Sequence, residues 1–263
     1  MKILSRNLFS QLFWVGVFGL GMGVLEAIVV VYLRDVYYPA GFKFPMSPVS
    51  AQMYFVELVR ETATILMLLS LGFLIGKNGI QKIAYFLIAF ATWDIVYYLG
   101  LKLFLNWPSS LMTWDVLFLI PLPWLGPVLA PLIVSVTMIW IGSSLLLLED
   151  RHGQIIINTE ERRLWILGTL VLFVAFIWNY SVLIVHSGYA SKVLTLSQNP
   201  DFLKVVYNYI PKSFNWVLFI VGEILVVAGT IRFLFRYRGI IEYTGKELWV
   251  ELNQFLRHVF HIH

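Results

Sequence analysis

Six stretches of this chain run apolar for 20 residues or more, and the polar positions inside them are few and unevenly placed. The stretches are Leu8–Leu33, Gln52–Gly76, Ile80–Leu105, Val128–Leu148, Leu164–Val185 and Phe214–Phe235. A helix rises about 1.5 Å per residue and a bilayer core is about 30 Å thick, so each is long enough to span one. The pattern predicts an all-α, polytopic membrane bundle of six transmembrane helices, with residues 1–238 forming the bundle and 239–263 a separate tail. In the tail, Leu248, Leu252, Phe255, Val259 and Phe260 recur at helical spacing. That spacing predicts an amphipathic helix lying on a membrane surface.

The segment Trp107–Gly126, WPSSLMTWDVLFLIPLPWLG, is apolar but unsuited to a continuous helix, because Pro121 and Pro123 lack amide donors. With Trp107, Trp114 and Trp124 as headgroup-level anchors, it reads as an interfacial or re-entrant segment on the outer face. A proline-kinked start to the fourth helix is the alternative. The stretch from His186 to Ser213 reads as a long outer loop.

Composition agrees with the pattern. The 263 residues are 59% hydrophobic and 13% charged, with mean hydropathy +0.80; soluble domains carry about 25% charged residues. The amino-terminal apolar run continues to Leu33, well past a signal-peptide core, so it reads as the first span. Orientation follows from Lys and Arg. With the amino terminus inside, the inner segments hold Lys2, Arg6, Lys77, Lys82, Arg151, Arg162, Arg163, Arg232, Arg236, Arg238, Lys246 and Arg257. The outer ones hold Arg34, Lys43, Lys102, Lys192, Lys204 and Lys212. Twelve against six places both termini in the cytoplasm and the chain in the inner membrane. The net charge of +4 is spread over short loops and reads as contact with the lipid bilayer, not with nucleic acid. The absence of cysteine excludes disulfides, thiolate metal sites and a cysteine nucleophile.

The charges within the spans carry the functional signal. Glu26, Glu57, Arg60, Glu61, Asp94 and Glu223 lie inside apolar runs, with Lys102, Asp115 and His186 close by. Counted by helical rise, Glu26 lies about 10 Å below the outer boundary, and Glu57, Arg60 and Glu61 about 8–14 Å. Asp94 and Glu223 fall nearer the midplane, at roughly 13–17 Å. The cytoplasmic halves, such as ILMLLSLGFLIG in the second span, hold almost nothing polar. Glu57, Arg60 and Glu61 share a helix face, as do Asp94 and Tyr98. Glu26 adjoins the ridge Gly19-xxx-Gly23-xxx-Ala27, where small residues admit a neighbouring backbone.

Acids outnumber cations at this depth. The surplus must pair, bind a cation or take up protons, since an isolated charge in hydrocarbon is costly. Glu57, Glu61 and Asp94 are therefore the acid/base candidates. Glu26, Arg60, Tyr98, Lys102, Asp115, His186 and Glu223 are the ligand-binding candidates, with Arg60 read as a clamp for an anionic group. No metal site is expected: HExxH is absent, and the terminal His258, His261 and His263 read as incidental. P-loop, GxGxxG and GxSxG motifs are absent too, which leaves the cofactor unassigned. The acids match neither the EGxTE-type phosphatase pattern nor that of paired-glutamate intramembrane proteases.

Three functions fit. One is a carboxylate-rich site in the outer half of the bilayer, binding or acting on a lipid-linked or small cationic ligand. The second is a proton- or ion-coupled transporter, disfavoured by the apolar cytoplasmic halves. The third is a non-catalytic subunit or assembly factor with a membrane protein partner, in which the ion pairs only lock helices together.

Overall fold

The computed structural model describes residues 5–189 and 199–237. The tail from residue 239, with its amphipathic helix and histidines, lies outside the described residues. The order is α1 (Arg6–Tyr37), α2 (Ala51–Ile75), α3 (Gly79–Leu105), β1 (Trp114–Phe118), β2 (Trp124–Pro127), α4 (Leu129–His152), α5 (Thr159–His186), α6 (Pro200–Tyr207) and α7 (Trp216–Arg236). Six of these helices are long and apolar enough to cross a membrane, which fits a multi-pass membrane protein.

The helices overrun the apolar stretches wherever capping groups extend them. α5 begins at Thr159 rather than Leu164. Asn158 and Glu161 form a capping box there, so two orphan amides are satisfied ahead of the hydrophobic run. Asn78 caps α3 by accepting from Gln81, and Ser50 caps α2 by accepting from Met53. The short α6 arises within the stretch expected to be loop. Its signal is Asn199 as N-cap, with Pro200 in the first turn and Asp201 beside it.

The Trp/Pro segment folds as an antiparallel hairpin rather than a kinked helix start, with Asp115 opposite Gly126 and Val116 opposite Leu125. Pro121 and Pro123 fall in the connecting turn, where no ladder bond needs their missing donors. Trp124 closes the turn by donating from Nε1 to the Ile120 carbonyl at 3.0 Å, and its ring stacks on Phe176 of α5. α4 has no side-chain cap. The amides of Val128 and Leu129 instead donate to the Thr113 and Leu111 carbonyls at 3.0 and 2.8 Å.

α3 is the hub, packed by α1, α2 and α4, while α5 pairs with α7; α4 against α7 and β2 against α5 join the two groups. The small-residue ridge of α1 lies on α3. A Cβ on Gly19 would stand 2.8 Å from Thr92 Cβ, and one on Gly23 2.7 Å from both the Trp93 carbonyl and Val96 Cβ. Close backbone approach of this kind is how apolar helices gain contact when hydrocarbon surrounds them. At the end opposite the hairpin, the Ser5 hydroxyl donates to Asp150 at 2.6 Å and fastens the start of α1 to the end of α4.

Candidate functional site

A cavity of about 840 Å³ opens at the hairpin end, walled by α1, α2, α3, α6, the hairpin and the α1–α2 loop, with Tyr180 of α5. It is confined to one half of the bundle. Its lining on α2 runs no deeper than Thr64, and on α3 it comprises Trp93, Asp94 and Tyr97. Five carboxylates line it (Glu26, Glu57, Glu61, Asp94 and Asp115) against two guanidinium groups, Arg34 and Arg60.

The two cations are already engaged. Arg60 meets Glu26 through Nη1 and Glu57 through Nη2 at 2.8 Å and Nε at 2.9 Å. Glu26 also accepts from the Thr64 hydroxyl at 3.3 Å, so α1 and α2 share one network. Arg34 pairs with Asp115 at 3.2 Å, and its guanidinium lies over the ring of Trp107 at 3.7 Å and that of Phe42 at 4.6 Å. Such stacking suits a planar, weakly hydrated cation.

Glu61 and Asp94 are held differently. Glu61 accepts the Leu119 amide, in the hairpin turn, at 2.9 Å through Oε2. Asp94 accepts the Ser135 hydroxyl of α4 at 2.8 Å through Oδ2. Both residues are over nine-tenths buried, at 7% and 9% exposure. Among the described residues neither has a basic side chain within ion-pair distance, although the neighbouring Arg60 acts on the charge of Glu61. Among the described residues no hydrogen bond reaches Glu61 Oε1 or Asp94 Oδ1, and both residues line the cavity. Among the described residues, no three His, Asp or Glu side chains converge closely enough to hold a metal ion.

Of the ten residues read from sequence, six therefore border one cavity: Glu26, Glu57, Arg60, Glu61, Asp94 and Asp115. Tyr98 stands behind it, donating to Asp115 Oδ2 at 3.3 Å. The other three lie apart. Lys102 is exposed and donates to the carbonyls of Asn106 and Pro108, finishing the last turn of α3. His186 is exposed at the end of α5. Helical rise puts Glu223 near the depth of Asp94, but α7 packs on α5 and α4, and its carboxylate accepts from the Thr137 hydroxyl at 3.1 Å. Arg34 and the lining tyrosines 37, 38, 54, 97, 180 and 207 are not among those ten. Arg34 sits in the last turn of α1, where a cation reads as a helix-end residue.

Asp115 lies in β1 and is 2% exposed. Burial pushes its carboxyl up from 3.8 to about 6, against the opposing pull of Arg34 and of hydrogen bonds from the Val116 amide and Tyr98. A carboxyl that holds its proton more tightly when folded stabilises the fold below its ordinary range, and that contribution is lost as pH rises. The stability of the wild type relative to Asp115→Asn should therefore fall between about pH 4 and pH 6 and level off above. Paired thermal denaturation curves in detergent, taken across that window, check this; a constant difference would refute it.

No known protein family matches this chain, and neither a curated protein nor a solved structure does.

Proposed function

We propose that this is an inner-membrane protein, with both termini cytoplasmic, whose hairpin-end cavity opens from the extracytoplasmic side and binds a lipid-linked or small cationic ligand. The observation that supports this reading is two buried carboxylates, Glu61 and Asp94, each facing the cavity with one oxygen free of hydrogen bonds. Both stand outside ion-pair distance of any described cation, although Arg60 acts on the Glu61 charge from nearby. A cation seated there supplies the missing charge, and attraction in a poorly hydrated site is stronger than in water. Arg60 contributes indirectly. Its guanidinium is committed to Glu26 and Glu57, so it acts as a fixed strut for the α1–α2 wall and not as a clamp on an anionic group. Of the three acid/base candidates, Glu61 and Asp94 are the groups free to exchange a proton with an occupant.

Confinement of the cavity to one half of the bundle argues against a transport path, which needs polar groups or breaks along its whole length. A second reading draws on the Arg60 network: the ion pairs lock α1 to α2, and the chain serves as a structural subunit.

Equilibration with total membrane lipid, repurification and mass spectrometry of retained molecules separates the two. The wild type should retain a cationic species that Glu61→Gln and Asp94→Asn each reduce at least tenfold, at unchanged folded yield. Wild-type protein that retains nothing above an empty-micelle control would leave the locking role instead.

A further inference from the structure

We infer that the occupant is a long-chain amphiphile with an ammonium head, its head held among aromatic rings beside Glu61 and its chain reaching the bilayer across the α2 edge of the cavity. This rests on the cationic-ligand reading and narrows it to one chemical class.

The head group follows from what surrounds the two open carboxylates. Tyr54 lies within electrostatic reach of Glu61 and Tyr207, and Tyr180 within reach of Tyr54 and Tyr207. All three tyrosines line the cavity, as do Trp93 and Tyr97, whose rings stack with centroids 6.4 Å apart. Ring faces attract an alkylated or poorly hydrated ammonium, and a nearby carboxylate strengthens the attraction. An anionic head such as a phosphate meets the opposite field. Five carboxylates border the space, and both guanidinium groups are already ion-paired with them, with Arg34 Nη1 left as a buried donor without a hydrogen bond.

The tail follows from the rest of the wall. Val30, Leu33, Leu58, Leu203 and Val206 present only hydrocarbon. Phe55 lines the cavity and is also 65% exposed on the outer surface of α2. In a helix with its free faces in lipid, such a side chain stands between the cavity and the acyl region, where a chain can pass sideways. A volume of about 840 Å³ lies within the roughly 300–1,000 Å³ usual for small-molecule sites.

The test is equilibrium binding of radiolabelled dodecyltrimethylammonium to the full chain in neutral maltoside micelles. Tetramethylammonium and dodecyl phosphate serve as competitors. Saturable binding should weaken at least tenfold in Glu61→Gln and in Asp94→Asn. Tyr54→Leu should weaken it several-fold while Tyr54→Phe, which keeps the ring, does not. The exposed Glu160→Gln serves as a surface control. Tetramethylammonium should compete at least a hundredfold more weakly than the unlabelled long-chain compound, and dodecyl phosphate should not compete. Should Glu61→Gln fail to fold, the Tyr54 pair still decides the matter. Equal competition by dodecyl phosphate, or loss in Tyr54→Phe equal to that in Tyr54→Leu, overturns the ammonium head. Tetramethylammonium binding as tightly as the long chain overturns the lipid tail. If the labelled compound fails to bind while the lipid-retention experiment still shows a species lost in Glu61→Gln, this proposal falls and the site reading stands. If both experiments are negative, both fall.

Discussion

Replacing Arg60 with leucine should cost about 3–5 kcal/mol, the usual penalty for removing one member of a buried ion pair. The carboxylates of Glu26 and Glu57 would stay behind, with side chains only 10% and 15% exposed and no other basic side chain in contact. A loss of that size is a large fraction of a typical domain's stability, so little monodisperse protein is expected on size exclusion. The triple substitution Glu26→Gln, Glu57→Gln, Arg60→Leu removes the orphaned charges along with the cation and should recover much of the yield. Full yield of Arg60→Leu alone would mean that the pairing contributes nothing, and the wall between α1 and α2 would need another explanation.

Gly23→Val should disrupt the α1–α3 contact, with an over-packing cost of about 1–3 kcal/mol. The upper end applies, because the first atom the new Cβ meets is the Trp93 carbonyl, which belongs to a helix backbone and cannot rotate away. The effect should also reach the cavity. Gly23 precedes Glu26 by three residues on α1, and Trp93 lies next to Asp94 on α3, so prising the helices apart separates groups that line the same space. Gly21→Val is the matched control. It has the same helix propensity change, but nothing lies within 4 Å of its Cβ position. Thermal midpoints that shift equally for the two variants would contradict the packing described for this ridge.

These two predictions rest on features of unequal visibility in the sequence. The Gly19–Gly23–Ala27 ridge is legible because its spacing alone places it on one helix face. The six spans are legible for the same local reason, and their ends shift by a few residues, as where Asn158 and Glu161 carry α5 past the apolar run and where α1 and α4 continue to Tyr37 and His152. The hairpin is not legible in this way: its ladder pairs Trp114 with Pro127, residues far apart in sequence, and the prolines announce only that a helix is broken.

In the site, helical spacing tells which half of a span an acid occupies and does not tell which way it faces. Glu26, Glu57, Glu61 and Asp94 border one cavity. Glu223 faces elsewhere, because its azimuth is set by the choice of α5 and α4 as neighbours of α7. Tyr54 escapes notice since a tyrosine near a span end ordinarily reads as an interfacial anchor, and Tyr207 because it lies in the stretch read as loop.

One continuous length of chain, from Leu111 to Ser135, fixes where three acids from three different elements stand. Asp115 belongs to it, Leu119 holds Glu61, Ser135 holds Asp94, and the Leu111 and Thr113 carbonyls bind the head of α4 to the hairpin. The spacing between Glu61 and Asp94 is thus gauged by this common jig in addition to the packing of α2 on α3. Altering its length, even by one residue in the turn, would retune the distance between two acids that it touches only through their acceptor oxygens.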